Sequence, residues 1–291
     1  MQTSAMRFVY IVSAGVVLLA LAEVFLPARQ QRTQPIALVG VNVVPMDSER
    51  VLLDQTIVVR GKEIVALGPR RTTPAAGARR IDLRGYYVIP GLADLHTHPR
   101  VAGDMTQYLA SGVTTILSLG SPADAQLLAW RDSTRRGQKL GPDIFVAYFV
   151  DGPGGSGGRI IASAEDGRAA ARNAKSQGFD FIKAYNFIPE SAFVAMVDEA
   201  RAQGIAVTGH GVRSVGLQRG FALGQVMVAH GEEYLYTHFN RLEDSTRFGE
   251  VAGWTKRSGA YVLPNLSAYV GIARQWGKTA VVDTLLGLPD V

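Results

Sequence analysis

From Gly91 onward the sequence alternates short apolar runs with segments bounded by helix caps, and that alternation limits the fold more than any other feature. The runs Leu92 to His96, Val113 to Leu119, Asp143 to Val150, Phe179 to Tyr185, Ile205 to His210, Gln225 to His230 and Ala260 to Pro264 are mostly continuous apolar stretches. Strands of a parallel sheet covered on both faces have this texture, because neither face meets water. Between them, Ser121-Pro122 predicts an N-cap followed by proline at the first helical position, with Gly137 closing that helix. Ser163 precedes a helix over 164–177 backed by Gly178, and a helix over 189–203 ends at Gly204. Repeated βα units of this kind predict an α/β fold, either a barrel or a doubly wound sheet.

The chain ahead of Pro90 reads differently. Ile36 to Val44, Val51 to Arg60 and Glu63 to Leu67 are β-rich runs separated by turn formers, and the run 80–89 leads through Pro90-Gly91 into the first strand of the alternating region. Together they predict a small antiparallel β subdomain over 35–90. Further upstream, one basic residue, the apolar run Phe8 to Leu19 and the small residues of Ala20-Leu21-Ala22 read as a secretory signal over 1–28. The competing reading is an uncleaved membrane span over 8–26, with Glu23 near its outer end. Both predict export, to the periplasm or beyond, with anchorage to the inner membrane in the second.

Composition narrows the chemistry. At 291 residues and 47% hydrophobic content the chain can bury a large core. Its net charge of +5 comes from dispersed arginines, with a loose cluster at Arg70, Arg71, Arg79, Arg80 and Arg84. No aromatic residues interleave that cluster as a base-stacking groove requires, so a solvated surface is expected and a nucleic-acid partner is not. The absence of cysteine excludes disulfides and thiolate metal sites. Any transition metal must be held by histidine, carboxylate or a modified side chain.

Candidate ligands fall at the strand ends. His96 and His98 share one face of an extended strand, roughly 6.5 to 7 Å apart by backbone rise, so both imidazoles can converge on one cation; an exposed strand end would show the same pair. Lys183 sits inside the apolar run Phe179 to Tyr185, where an unpaired ammonium is costly. It either pairs with a nearby acid such as Asp180 or, with its pKa lowered by burial, takes up carbon dioxide as a carbamate able to bridge two cations. His210 and His230 each end a predicted parallel strand, where barrel active sites are built. Asp94 shares the parity of His96 and His98 and is expected to support them by hydrogen bonding. Tyr185 has the parity of Lys183 and lines either the pocket or the core, and His238 reads as a surface residue.

The segment 152–157, Gly-Pro-Gly-Gly-Ser-Gly, fits a dinucleotide-binding G-x-G-x-x-G after a strand. The next helix is expected only near Ser163, too late to cradle a pyrophosphate, so a loop over a barrel mouth is the better account. A nicotinamide-dependent oxidoreductase remains the alternative, distinguished by cofactor binding that survives loss of His96.

In Val88-Ile89-Pro90-Gly91-Leu92-Ala93-Asp94-Leu95-His96-Thr97-His98, Phe181-Ile182-Lys183, Val207-Thr208-Gly209-His210 and Ala229-His230-Gly231-Glu232-Glu233, the sequence resembles the amidohydrolase superfamily, within it the imidazolonepropionase-like and Xaa-Pro or Xaa-Arg dipeptidase-like members. The resemblance runs from about Ile36 to the C-terminus. It implies a (β/α)8 TIM barrel beside a small β-sandwich-type subdomain. It also implies two divalent ions, usually zinc: one on His96 and His98, the second on His210 and His230, with carboxylated Lys183 as bridge. The implied reaction is hydrolysis of an amide, lactam or imidazolone-like C–N bond in a small-molecule or short-peptide substrate, by water that the metals acidify.

The resemblance further implies a strand-eight aspartate that ligates the first metal and carries the proton. Region 91–291 offers seven strand candidates and falls short of the roughly 250 residues of a whole barrel. Asp290 follows an expected helix rather than ending an apolar strand, and is not expected to fill that role. The expectation is thus an incomplete barrel cut short before strand eight. A catalytically inactive fragment that retains the five ligands would show metal content without turnover.

Overall fold

The computed structural model describes residues 34–100, 102–121, 123–155, 157–239 and 245–278. The signal or membrane segment expected over 1–28, and Asp290, lie outside the described residues; among those described, no helix is long and apolar enough to cross a membrane. The chain divides into two compact units with the boundary between Pro90 and Gly91.

The first unit is one sheet. β1 (Ile36–Val43), β2 (Leu52–Arg60) and β3 (Glu63–Pro69) form an antiparallel meander. β4 (Arg79–Asp82) and β5 (Tyr87–Val88) both run parallel to β1 along its other edge. The small antiparallel β subdomain expected from sequence is thus present as a separate sheet, an antiparallel meander to which β4 and β5 add in parallel among the described residues. Turn residues report where a strand ends and leave open which neighbour the next strand joins. Ala37, Val39 and Val58 are buried on one face and Val41, Val43 and Ile57 on the other. Two of the clustered arginines are committed to neighbours, Arg70 to Asp54 at 2.7 Å and Arg84 to Asp82 at 2.6 Å.

The second unit carries β6 (Leu92–Thr97), β7 (Val113–Ser118), β8 (Asp143–Asp151), β10 (Phe181–Ala184), β11 (Ala206–Gly209), β12 (Gln225–Ala229) and β13 (Tyr261–Leu263), paired in parallel in chain order. The two-residue β9 (Arg159–Ile160) extends the end of β8. Helices α1 (Ala102–Ala110), α2 (Asp124–Arg135), α3 (Ala164–Ser176), α4 (Glu190–Gln203), α5 (Leu217–Leu223), α6 (Phe248–Ser258) and α7 (Leu266–Gln275) fall between and after them. All seven strands expected from sequence are present, and the architecture is an incomplete (β/α)8 barrel. Curvature is visible directly: His96 and His230 extend from strands five places apart in the sheet, about 24 Å if it were flat, yet their rings are 4.4 Å apart.

Strand alternation sorts the two cores. Leu117, Leu119, Ala147, Met227 and Ala229 pack together with Leu95, Phe145 and Phe181 inside the barrel. Their neighbours in sequence, such as Ile116, Val146 and Ile182, pack outward against Leu127, Trp130, Ala171, Phe193 and Met196 of the helices. Helix ends follow the caps with one exception. Ser163 makes a full capping box with Asp166, and Gly204 closes α4 at φ 63°. Ser121 does not cap α2; its hydroxyl accepts the N–H of Ala123, which is itself the N-cap, so the helix starts later than the proline rule predicts.

Candidate active site at the strand ends

Each candidate ligand sits at or just past the C-terminal end of a barrel strand. His210 continues the ladder of β10 and β11, its N–H donating to Ala184 O at 2.9 Å. Gly209 before it adopts φ 116°, and a Cβ there would run into the Ala184 backbone, so only glycine delivers His210 to this position. His230 donates its N–H to Leu263 O at 2.8 Å and holds φ 79°, a left-handed backbone that is strained for a non-glycine residue. Asp94 accepts the backbone N–H of His96 at 3.1 Å, fixing the turn of the strand where the histidine pair begins.

The structure brings the four histidines and the lysine together. Ring centroids are 5.3 Å apart for His96 and His98, 4.4 Å for His96 and His230, and 4.7 Å for His210 and His230. Lys183 is 3% exposed, with Nζ 5.2 Å from the Phe149 ring and 5.3 Å from the Tyr185 ring. The pairing of Lys183 with Asp180 is not made. Asp180 faces the other way, bonded to Arg131 at 3.0 Å and to the backbone N–H of Val146 at 2.9 Å.

Electrostatics keep the four imidazoles uncharged. Burial, followed by the neighbouring His230 and Lys183, pushes His96 down to about 3. Burial and then His210 bring His230 to about 4. His98 and His210 are also lowered, burial again leading; the Gly120 carbonyl opposes it at His98 and Glu233 opposes it at His210. Burial lowers Lys183 to about 8. At neutral pH the four imidazoles are therefore neutral and carry lone pairs.

Those lone pairs have an ordered disposition. Nδ1 of His98 lies 2.6 Å from Gly120 O and must donate to it, which leaves Nε2 as the acceptor nitrogen. His210 Nδ1 lies 2.6 Å from Glu233 Oε1, and its Nε2 is buried without a hydrogen-bond partner among the described residues, as is Nδ1 of His96. Clustered, neutral imidazoles with unpartnered nitrogens fit a divalent cation such as zinc. Among the described residues, no group of three or more His, Asp or Glu side chains is already arranged as a cation cage.

The cluster opens on a cavity of about 830 Å³, lined by His98, Lys183, Tyr185, His210 and His230, with Leu119 and Phe149 as apolar wall and Asp124 and Arg159 at 3.3 Å from each other on its border. Tyr185 lines this cavity, its ring 3.9 Å from that of His210. The glycine-rich segment contributes Gly157 and Gly158 to the same wall; β9 and the capped start of α3 at Ala164 separate it from any helix N-terminus, which removes the pyrophosphate cradle. His238 does not join the site: it is half-buried, in contact with Arg247 at 2.9 Å and with the Trp254 ring at 5.7 Å. A second cavity, about 720 Å³ and almost wholly apolar, lies among Tyr234, Phe248, Val251 and Val262 and contains none of the histidines.

Two buried acids escaped the sequence reading. Glu233, 1% exposed, accepts from His210 Nδ1, from the Asn186 amide at 2.9 Å and from Gly211 N at 3.1 Å. Asp151 accepts from Gly152 N at 2.8 Å and Phe187 N at 3.1 Å, tying the glycine-rich segment to the one that follows β10. The doubled acid after His230 was the available signal for Glu233; nothing local distinguishes Asp151.

No family model matches the chain. An imidazolonepropionase from Paenarthrobacter aurescens is 46% identical over 57 residues, 20% of this chain and 14% of the relative. A 5-methylthioadenosine/S-adenosylhomocysteine deaminase from Symbiobacterium thermophilum is 30% identical over 154 residues, 40% of this chain and 34% of the relative. The matched part is thus no more than about a third of either relative. A Bifidobacterium longum crystal structure bearing a prolidase name superposes with a TM-score of 0.66 at 27% identity, covering 81% of this chain and 62% of that one.

Proposed function

The chain is a member of the amidohydrolase superfamily, and from that premise we propose that it is a metal-dependent hydrolase of a carbon–nitrogen bond in a small-molecule or short-peptide substrate. The observation that carries this reading is the convergence of His96, His98, Lys183, His210 and His230 at one end of the barrel, where βα-loop active sites form. His96 and His98 would hold one divalent ion and His210 and His230 the other, with Lys183, once carboxylated, supplying an anionic ligand to both; zinc suits the imidazole donors. When bound, such ions supply a nucleophile at neutral pH and polarise the scissile carbonyl.

The protein's own residues prepare that chemistry. The backbone oxygen of Gly120 fixes the His98 tautomer, and Leu119 and Phe149 give the cavity an apolar wall. Tyr185 presents a phenol to the same cavity, whose volume suits a dipeptide-sized ligand. Lys183, brought by burial from the ordinary 10.5 to about 8, holds roughly 300-fold more free amine at pH 7 than an ordinary lysine. That free amine is the form able to add to carbon dioxide.

The test is metal stoichiometry together with turnover. The wild-type chain reconstituted with zinc and bicarbonate should bind about two ions, in line with two-metal hydrolytic sites, and cleave a member of a panel of Xaa-Pro dipeptides, imidazolones and amino-purine nucleosides. Lys183→Ala should lose metal in elemental analysis. Unchanged stoichiometry in that variant would remove the carbamate bridge, and an inert panel with metal bound would leave a binding fragment.

A further inference from the structure

Glu233 follows the strand-six histidine by three residues, yet it serves the histidine of strand five. Its carboxylate is buried and receives donors on both oxygens: the Asn186 amide at 2.9 Å and Gly211 N at 3.1 Å on Oε2, and His210 Nδ1 at 2.6 Å on Oε1. Asn186 is 7% exposed and its amide also donates to Gly211 O at 3.0 Å, so the group facing Glu233 is itself held. Oε2 takes the Gly211 N–H and the shorter contact of the Asn186 amide, while Oε1 takes His210 Nδ1 at 2.6 Å and the Asn186 amide only at 3.2 Å, so the imidazole is the nearest donor on Oε1. An ionised carboxylate only accepts. His210 must then carry a proton on Nδ1, and in the neutral ring the lone pair lies on Nε2, which has no hydrogen-bond partner among the described residues.

We propose that Glu233 is the positioning residue of His210: it selects the imidazole tautomer whose Nε2 can ligate a cation, and holds the ring against rotation. The tautomer is a property of the metal-free chain; only its use by a cation rests on the two-metal reading. Glu233→Gln separates charge and tautomer from shape. The glutamine oxygen stays where Oε2 takes the Asn186 and Gly211 donors, because the reverse orientation would set donor against donor. Its amide nitrogen then faces His210 Nδ1, donates to it, and moves the imidazole proton to Nε2, where it blocks coordination.

The experiment is long-range ¹H–¹⁵N correlation of the histidine rings in the metal-free wild type, Glu233→Gln and Glu233→Asp, with zinc affinity measured by competition against a chromophoric chelator. Wild-type His210 is expected as the Nδ1–H tautomer and Glu233→Gln as Nε2–H. Zinc binding should weaken about 10- to 100-fold in Glu233→Gln, and Glu233→Asp, which keeps the acceptor, should recover part of that loss. Circular dichroism and the melting temperature establish that each variant is folded. A wild-type His210 protonated on Nε2 overturns the proposal whatever the variants do, and so does a folded Glu233→Gln with wild-type tautomer and affinity. His210→Ala separates the two readings. If it binds zinc as tightly as wild type, the two-metal reading falls while the tautomer still decides the role of Glu233; if it loses zinc and Glu233→Gln does not, positioning alone falls.

Discussion

The two halves of the histidine cluster are built on different principles. On β6, His96 and His98 are delivered by one strand: alternation puts them on one face, His98 is exposed, and among the described residues its hydrogen bond goes to a backbone carbonyl, Gly120 O. On β11 and β12, His210 and His230 come from separate strands. His210 is 6% exposed and locked to a carboxylate that is itself locked to two further donors. The half that ends in His98 is local and the more open, the half that contains His210 is long-range and the more enclosed, and His96 and His230 are both half-buried. The open half can change partner without disturbing the core, whereas the enclosed half couples the ligand geometry to the stability of the barrel.

The largest expected effect breaks the enclosed half. Glu233→Ala strands the His210 Nδ1–H, the Asn186 amide and the Gly211 N–H in a buried region, and at about 1 kcal/mol or more for each unpaired donor the cost is about 3 kcal/mol. His98→Ala removes one hydrogen bond at an exposed position and should cost no more than about 1 kcal/mol. Urea unfolding of the metal-free proteins, followed by circular dichroism, measures both. Equal costs would mean that the two halves are not built differently.

The same division decides what the sequence could disclose. Strand ends are written in local signals: the apolar runs that stop at His96, His210 and His230, and the one that contains Lys183, are contiguous, and parallel order follows from the capped helices between them. The purpose of Glu233 is written nowhere nearby. Its partners Asn186 and His210 lie 47 and 23 residues away, so its role exists only once β10, β11 and β12 are side by side. Asp180 teaches the converse. Three residues from Lys183, it invites a local ion pair, but strand parity turns it outward to Arg131. The mixed pairing in the first unit was hidden for a related reason: β4 and β5 are short, and whether a short strand pairs parallel or antiparallel depends on the edge it reaches, not on its own residues.

Titration offers a second contrast, of intermediate size. In the metal-free protein His96 and His230 have folded pKa values of about 3 and about 4, below the ordinary 6.5. Between pH 6.5 and about 4 the unfolded chain binds protons on these residues that the folded chain refuses, so stability rises with pH across this window and is lost as pH falls through it. Asp124 and Glu232, whose carboxyls burial pushes upward, oppose the trend at its acid end. His96→Ala should remove a large part of the slope and His98→Ala a smaller part, since only the former is driven as low as about 3. Urea midpoints across pH 4 to 7 decide it, and a slope that survives loss of both His96 and His230 would assign the acid sensitivity to other groups.

The smallest effect sharpens the contrast within the enclosed half itself. Glu232 precedes Glu233 and approaches His230 as Glu233 approaches His210, but its Oε1 stands 3.7 Å from His230 Nδ1, beyond hydrogen-bond range, and its Oε2 has no partner among the described residues. His230 is oriented instead by its backbone: the N–H to Leu263 O and the left-handed φ of 79° fix where its side chain leaves the chain. A carboxylate at that distance selects no tautomer, so Glu232→Gln should leave the His230 ring unchanged and weaken zinc by well under the roughly tenfold that marks the loss of a ligand's hydrogen-bond partner. Chelator competition on Glu232→Gln beside Glu233→Gln gives the comparison in one measurement. Equal losses would show that Glu232 closes on His230 when zinc is bound, making the acid pair a matched set rather than one positioning residue and its neighbour.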